Sequence, residues 1–260
     1  MKMKRFFLIL ALVGYFCLNG LTPALAHEED LVPLLEKIEK RRSSYPENDN
    51  WKARIVNKNM EMDKQWQTTK TTITTMIVKS VDNILSSEIL EAVEIEDGAT
   101  RNVIQEVAEQ TKEQIERSNK ERAEQKKQEE TEDSSDVLFP FNEKKRAKFA
   151  FCRLDDAFIN ERPVFIIEAA AKEKEEDLFE GTYYIDQETY DVLKIQVKPS
   201  KNPMLVKELD IDIDYEVLPE GNRIERKTRT RVNGGPFFKR VRMIIETEYF
   251  DIEILDSNAV

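Results

Sequence analysis

Residues 205–217 alternate with a period of two. The odd positions hold Leu205, Lys207, Leu209, Ile211, Ile213, Tyr215 and Val217, and the even ones include Glu208, Asp210, Asp212, Asp214 and Glu216. Only an extended strand sends successive side chains to opposite faces, so this stretch has one greasy face and one carboxylate face. The following run offers Arg223, Lys227, Arg229 and Arg231 on one face, placed to pair across with the carboxylate row. A sheet built this way is apolar on one side and charged on the other, and its apolar side must be covered.

The second half of the chain repeats the pattern. Candidate strands lie near 147–154, 163–172, 178–186, 190–198, 205–217, 222–232 and 237–254. Turn signals separate them at Asn160-Glu161-Arg162-Pro163, Asp186-Gln187-Glu188, Pro219-Glu220-Gly221-Asn222 and Asn233-Gly234-Gly235. Asn-Gly between extended runs marks a tight hairpin, because both central positions tolerate positive φ. Links this short require antiparallel neighbours; the expected topology is a meander. Its apolar face collects Phe149, Phe151, Phe165, Ile167, Tyr183, Ile185, Leu193, Ile195, Leu209, Ile211 and Ile213, with Met243 and Ile245 from the last run. These are the candidate ligand-contacting residues.

The first half is less regular. Leu31, Leu34, Leu35 and Ile38 have helical spacing within Leu31–Arg42, with Pro33 in the expected first turn. From Trp51 the period falls to two. Thr68 to Val78 has the β-branched composition of a strand, and Ile84 to Ile95 is read as a third. Residues 101–133 contain neither Gly nor Pro, and acid-first pairs such as Glu113 with Arg117 favour a charged helix. With few apolar side chains beyond Val103, Ile104, Val107 and Ile115, it is expected to pack through its first turns and then project into water. The insertion is placed at 99–136. Val137-Leu138-Phe139-Pro140-Phe141 follows as an apolar plug.

The N-terminus carries an export signal: Lys2, Lys4 and Arg5, an apolar run from Phe6 to Cys17, and Ala24-Leu25-Ala26 before an acidic start. Asn19, Gly20 and Pro23 interrupt the roughly 20 apolar residues that a membrane span needs. Cleavage is expected after Ala26, leaving 27–260 as one domain outside the cytoplasm. It takes three basic side chains with it, so the formal charge moves from −11 to −14. Nucleic-acid phosphates and anionic lipid surfaces repel such a chain. Cys152 alone remains, so no intrachain disulfide forms, and its apolar neighbours Phe149 to Phe151 suit a small buried hydrophobe.

Catalytic chemistry is sparse. After cleavage the one histidine is His27, which excludes triads that need a folded-in imidazole. Asp210-x-Asp212-x-Asp214 has calcium-loop spacing, but Ile211 and Ile213 fill the gaps and no Gly follows. Asp155, Asp156, Asp186 and Glu188 are the carboxylates that a hydrolase would use, and all lie in or beside expected turns. A non-enzymatic protein without cofactor or metal is expected.

The stretch Phe179-Glu180-Gly181-Thr182-Tyr183-Tyr184-Ile185-Asp186-Gln187-Glu188-Thr189-Tyr190 resembles a hairpin of the outer-membrane lipoprotein-sorting (LolA/LolB-like) superfamily. The resemblance implies a periplasmic protein with an α+β, mostly β fold. Its core would be a curved antiparallel sheet, a half-barrel meander, with an N-terminal helix and here a long charged helical insertion. It implies a concave sheet that accepts a lipid acyl chain or a lipidated protein. The charged helix and acidic surface offer a second expectation, an envelope protein-interaction or stress-sensing module on the same scaffold.

Overall fold

The computed structural model describes residues 28–46, 50–82, 84–125, 138–219, 221–236 and 240–255. The export signal at 1–26 and the end of the insertion, 126–137, lie outside the described residues. The chain opens with helix α1 (Glu28–Arg42), then β1 (Trp51–Met62), β2 (Thr68–Val81), β3 (Ile84–Glu96) and the short β4 (Ala99–Asn102). Helix α2 (Ile104–Gln125) and the single turn α3 (Glu143–Arg146) precede the second run of strands. These are β5 (Phe149–Ile159), β6 (Arg162–Ala171), β7 (Phe179–Asp186), β8 (Val192–Pro199), β9 (Val206–Val217), β10 (Arg223–Gly234) and β11 (Val241–Ile254).

All eleven strands form one open, curved antiparallel sheet in the order β4-β3-β2-β1-β11-β10-β9-β8-β7-β6-β5. Two meanders are therefore joined where the first strand meets the last, with Trp51 opposite Ile254. The join has a consequence. The two edges of the sheet are β4 and β5, and α2 and the Phe139–Phe141 plug, which lie between these strands in the sequence, both pack on its inner face.

Local chemistry accounts for the turns. Between β1 and β2 the Asp63 carboxylate accepts from the Gln65 and Gln67 N–H groups at 2.8 and 2.9 Å. Asp186 does the same after β7, accepting from Glu188 and Thr189 at 2.9 and 3.0 Å. Gly181 in β7 is held against β8: a Cβ there would sit 2.1 Å from the Gln196 carbonyl oxygen, so no other residue fits.

Four expectations need correction. Residues 99–102 are strand, not the start of the charged helix, because they fold back on β3. Helix α1 begins at Glu28, so Pro33 lies inside it rather than in its first turn. Asn233 and Gly234 are ladder residues opposite Arg242 and Val241, so the last hairpin closes through a longer loop than an Asn-Gly turn. Asp155 and Asp156 belong to β5, beside the bulge between Leu154 and Ala157, and not to a turn.

Candidate functional site

One cross-strand row describes the inner face. It runs Ile167, Tyr183, Ile195, Ile213 from β6 to β9, then Thr228, Thr247, Asn57, Thr74 and Ala92 from β10 to β3. Directly paired residues share a face, so the lining changes from apolar to polar between β9 and β10.

The apolar half is filled. Leu31, Leu35 and Ile38 of α1, together with Phe139 and Phe141, bury Phe149, Phe151, Ile167, Tyr183, Ile185, Ile195 and Ile213. Phe165 and Ile211 pack at the edge of this core. The Phe141 ring meets Tyr183 edge-on at 4.9 Å, and the Tyr183 hydroxyl donates to the Leu138 carbonyl at 2.7 Å. Helix α1 is fastened at its end. The buried Asp191 carboxylate accepts from the Arg41 guanidinium and from the Tyr45 hydroxyl at 2.7 Å. Burial opposes ionisation of Asp191, yet these hydrogen bonds outweigh it and hold the carboxyl below its ordinary range.

Of the remaining expected contacts, Leu193 is buried outside this cluster, while Leu209 and Ile245 are half-buried on the strands. Met243 alone of the set lines the larger hollow described next. The structure thus gathers most of the expected residues into one place, but the chain's own helix and plug occupy that place.

The polar half is hollow. A cavity of about 610 Å³ lies between α2 and the inner face of β1–β3. Asn57, Asn59, Thr72 and Thr74 line its floor, and Gln110, Gln114 and Ile115 its roof. Among the described residues, the Asn57 side-chain oxygen is shielded from water without a hydrogen-bond partner. Helix α2 does not simply project into water. Its Asn119 amide accepts from the Leu85 N–H at 2.8 Å and donates to the Leu85 carbonyl at 2.9 Å, closing the helix onto the free edge of β3. At the base Arg101 bridges Glu94 and Glu106, and Lys70 meets Glu94 at 2.8 Å.

A smaller hollow of about 330 Å³ lies where the two halves meet, lined by Trp51, Ala53, Arg223, Glu225, Tyr249 and Ile252, among others. Arg223 was expected outside with Lys227, Arg229 and Arg231. The register shifts between Glu225 and Lys227, and that one-residue bulge turns Arg223 and Glu225 inward. Lys227 and Arg229 stay outside, where they meet Glu248 and Glu246 of β11 at 2.6 and 3.5 Å. The carboxylate row is thus shared among three strands, with Lys194 of β8 taking Asp214 at 3.0 Å.

Two of the candidate carboxylates, Asp156 and Asp186, have structural partners. Asp156 pairs with Arg153 at 2.9 Å. Cys152 is half-buried, and burial raises its thiol further from the reactive form. Among the described residues no His, Cys, Asp and Glu side chains gather to hold a metal ion, and no helix is long and apolar enough to cross a membrane. Sequence reading missed Asn57, Thr72 and Thr74; the only available signal was their polar alternation, which equally suits an outward face.

No protein-family model matches the chain, and no curated protein matches it. Solved structures similar to it include an outer membrane lipoprotein-sorting protein domain from Vibrio parahaemolyticus, at 11% identity and a TM-score of 0.39, covering 86% of this chain and 94% of that one. A LolA superfamily protein from Nitrosomonas europaea is similar at 10% identity and a TM-score of 0.34, over 85% and 93% of the two chains. The MucA/MucB complex of Pseudomonas aeruginosa is similar at 7% identity and a TM-score of 0.26, over 87% and 99%. At these identities and TM-scores neither a residue role nor a superfamily is carried across.

Proposed function

We propose that the chain is an exported, non-enzymatic binding protein of the periplasm that seats a segment of an envelope polypeptide between α2 and β1–β3. The observation that carries this reading is the 610 Å³ hollow with its mixed polar and apolar lining. Its size falls within the range of ligand sites, roughly 300–1,000 Å³. Its lining is mixed: Asn, Thr and Gln side chains alternate with Met76, Val78, Val107, Ile115 and Met243. A polypeptide brings amide donors and acceptors as well as apolar side chains, so it satisfies both kinds of wall; a bare acyl chain would strand the polar one.

Lipid binding on Phe149, Phe151, Ile167, Tyr183, Ile185, Ile195 and Ile213 would require α1 and the plug to lift off the sheet. The test introduces a photo-crosslinking residue at Gln114 in the exported protein, with and without Thr72→Trp to fill the hollow. The reading expects crosslinks to a polypeptide that Thr72→Trp removes. Crosslinks that survive the filling, or a hollow that yields lipid and no polypeptide, overturn it.

A further inference from the structure

The open sheet has two edges, and they are guarded differently. On β5 the bulge between Leu154 and Ala157 leaves Asp155 and Asp156 exposed, and Arg153 pairs with Asp156 at 2.9 Å. Charge and a bulge make that edge a poor template for another strand. On the far side β4 pairs only with residues 93–96 of β3, so residues 84–92 have no strand beside them. Helix α2 is pinned along this stretch at both ends. The Val103 N–H donates to the Ala92 carbonyl at 3.0 Å, and the Asn119 amide accepts from the Leu85 N–H and donates to the Leu85 carbonyl. From Val103 to Asn119 a helix advances about 24 Å, and from Leu85 to Ala92 a strand advances about 23 Å. The helix therefore lies along the edge as a strap.

The two contacts at Leu85 are those that a neighbouring strand would make. An asparagine side chain offers N–H donors and a carbonyl acceptor in the manner of a peptide group, and with them Asn119 takes the place of a single strand residue. By the alternation of the antiparallel ladder, Ser87 and Ile89 turn their N–H and C=O groups to the same side as Leu85. Among the described residues no hydrogen bond answers them there. Such a row accepts another backbone in extended conformation. A strand laid on it sends alternate side chains under α2, beside Leu85, Val107 and Ile115, and the others outward beside Ile84, Ser86 and Glu88. Glu88 and Glu91 form no ion pair among the described residues, so the outward positions favour Lys or Arg. We propose that the edge of β3 from Leu85 to Ile89 is a strand-docking site: an extended partner segment that alternates apolar and basic residues pairs with Ser87 and Ile89 and replaces Asn119 at Leu85. This rests on the reading of the α2 hollow as a polypeptide site, because the inward side chains enter that hollow.

The probe is a short fluorescent peptide of alternating valine and lysine, titrated by anisotropy against the purified exported chain. Asn119→Ala, which vacates the edge at Leu85, is expected to bind it severalfold more tightly than the parent. Ser87→Pro removes an outward N–H that the fold does not use and sets a ring in the path of a neighbouring strand; it is expected to bind at least about tenfold more weakly. In the parent, saturating peptide should slow hydrogen exchange at the Ser87 and Ile89 amides by at least about tenfold, a readout that needs no substitution. A peptide that binds without slowing those amides, or equally well to Ser87→Pro, overturns the docking site. If Thr72→Trp abolishes that same binding, the hollow remains a polypeptide site and only the pairing falls. Binding that needs Ser87 and is unmoved by Thr72→Trp upholds the pairing and removes the reading of the hollow. No binding to the parent or to Asn119→Ala overturns the docking site alone, since crosslinking from Gln114 judges the hollow separately.

Discussion

Following one row of side chains from Ile167 to Ala92 crosses two regions that share a sheet and differ in everything that covers it. Under α1 the row reads Ile, Tyr, Ile, Ile, and the cover answers with Leu31, Leu35, Ile38, Phe139 and Phe141. Each fully buried side chain of this kind contributes about 1.5–3 kcal/mol. Past β9 the row reads Thr, Thr, Asn, Thr, and where α2 lies over Asn57 and Thr74 the cover answers with Gln110, Gln114 and an asparagine clasp on Leu85. Hydrogen bonds of that sort contribute about 1 kcal/mol each. The difference teaches where this molecule keeps its stability and where it keeps its space: the half with the apolar lining is its core, and the half with the charged cover holds the larger hollow.

Truncating each cover in turn gives the largest expected contrast. Phe141→Ala, at a side chain fully removed from water, should cost about 4 kcal/mol. Ile115→Ala on α2, half-buried over the hollow, should cost about 1 kcal/mol. Urea unfolding of both variants measures this, and equal costs would break the distinction.

The Asp191 latch tests how α1 is held. Asp191→Ala should cost about 2 kcal/mol, since it removes charged hydrogen bonds from Arg41 and Tyr45. The carboxyl is held below its ordinary range in the folded chain. Its contribution is therefore complete above the unfolded value, about pH 4, and is lost as the pH falls through the folded value. The stability difference between parent and Asp191→Ala should shrink on acidification below pH 4, measured by denaturant titration. A difference that persists unchanged at pH 2 would remove the latch from the account.

The smallest expected effect belongs to the clasp. Asn119→Ala should cost about 1 kcal/mol or less of global stability while markedly accelerating hydrogen exchange at the Leu85 amide, which Asn119 now covers. Unchanged exchange there would mean that α2 is held by other contacts.

Much of this architecture was legible, and particular residues show why. The strands of the second half announce themselves by alternation, and the Gly181-x-x-x-Ile185-Asp186 stretch can be explained position by position. Gly181 is required by the approach of Gln196, Ile185 by the core, and Asp186 by the turn that it caps. That hairpin is an instrument of folding, and it marks no ligand contact.

What could not be read were two matters of face. The bulge after Glu225 adds one residue to β10 and so turns Arg223 from the charged side to the inner side; the residues Arg223-Ile224-Glu225-Arg226 carry no compositional mark of it. Asn57, Asn59, Thr72 and Thr74 look like outward positions because polar side chains usually are outward. Only the position of α2 over the sheet shows that they line a covered space. The plug was visible as an apolar run, but nothing in that run names the strands on which Phe139 and Phe141 pack.

Thiol accessibility tests the central contrast most directly. In a Cys152→Ser background, Thr72→Cys reports on the α2 hollow and Ile195→Cys on the space beneath α1. A maleimide added to the native protein should modify the cysteine at 72 readily and leave the one at 195 unreacted until denaturant unfolds the chain. Comparable native-state rates at the two positions would mean that the α1 half is open as well, and would contradict the division on which the account stands.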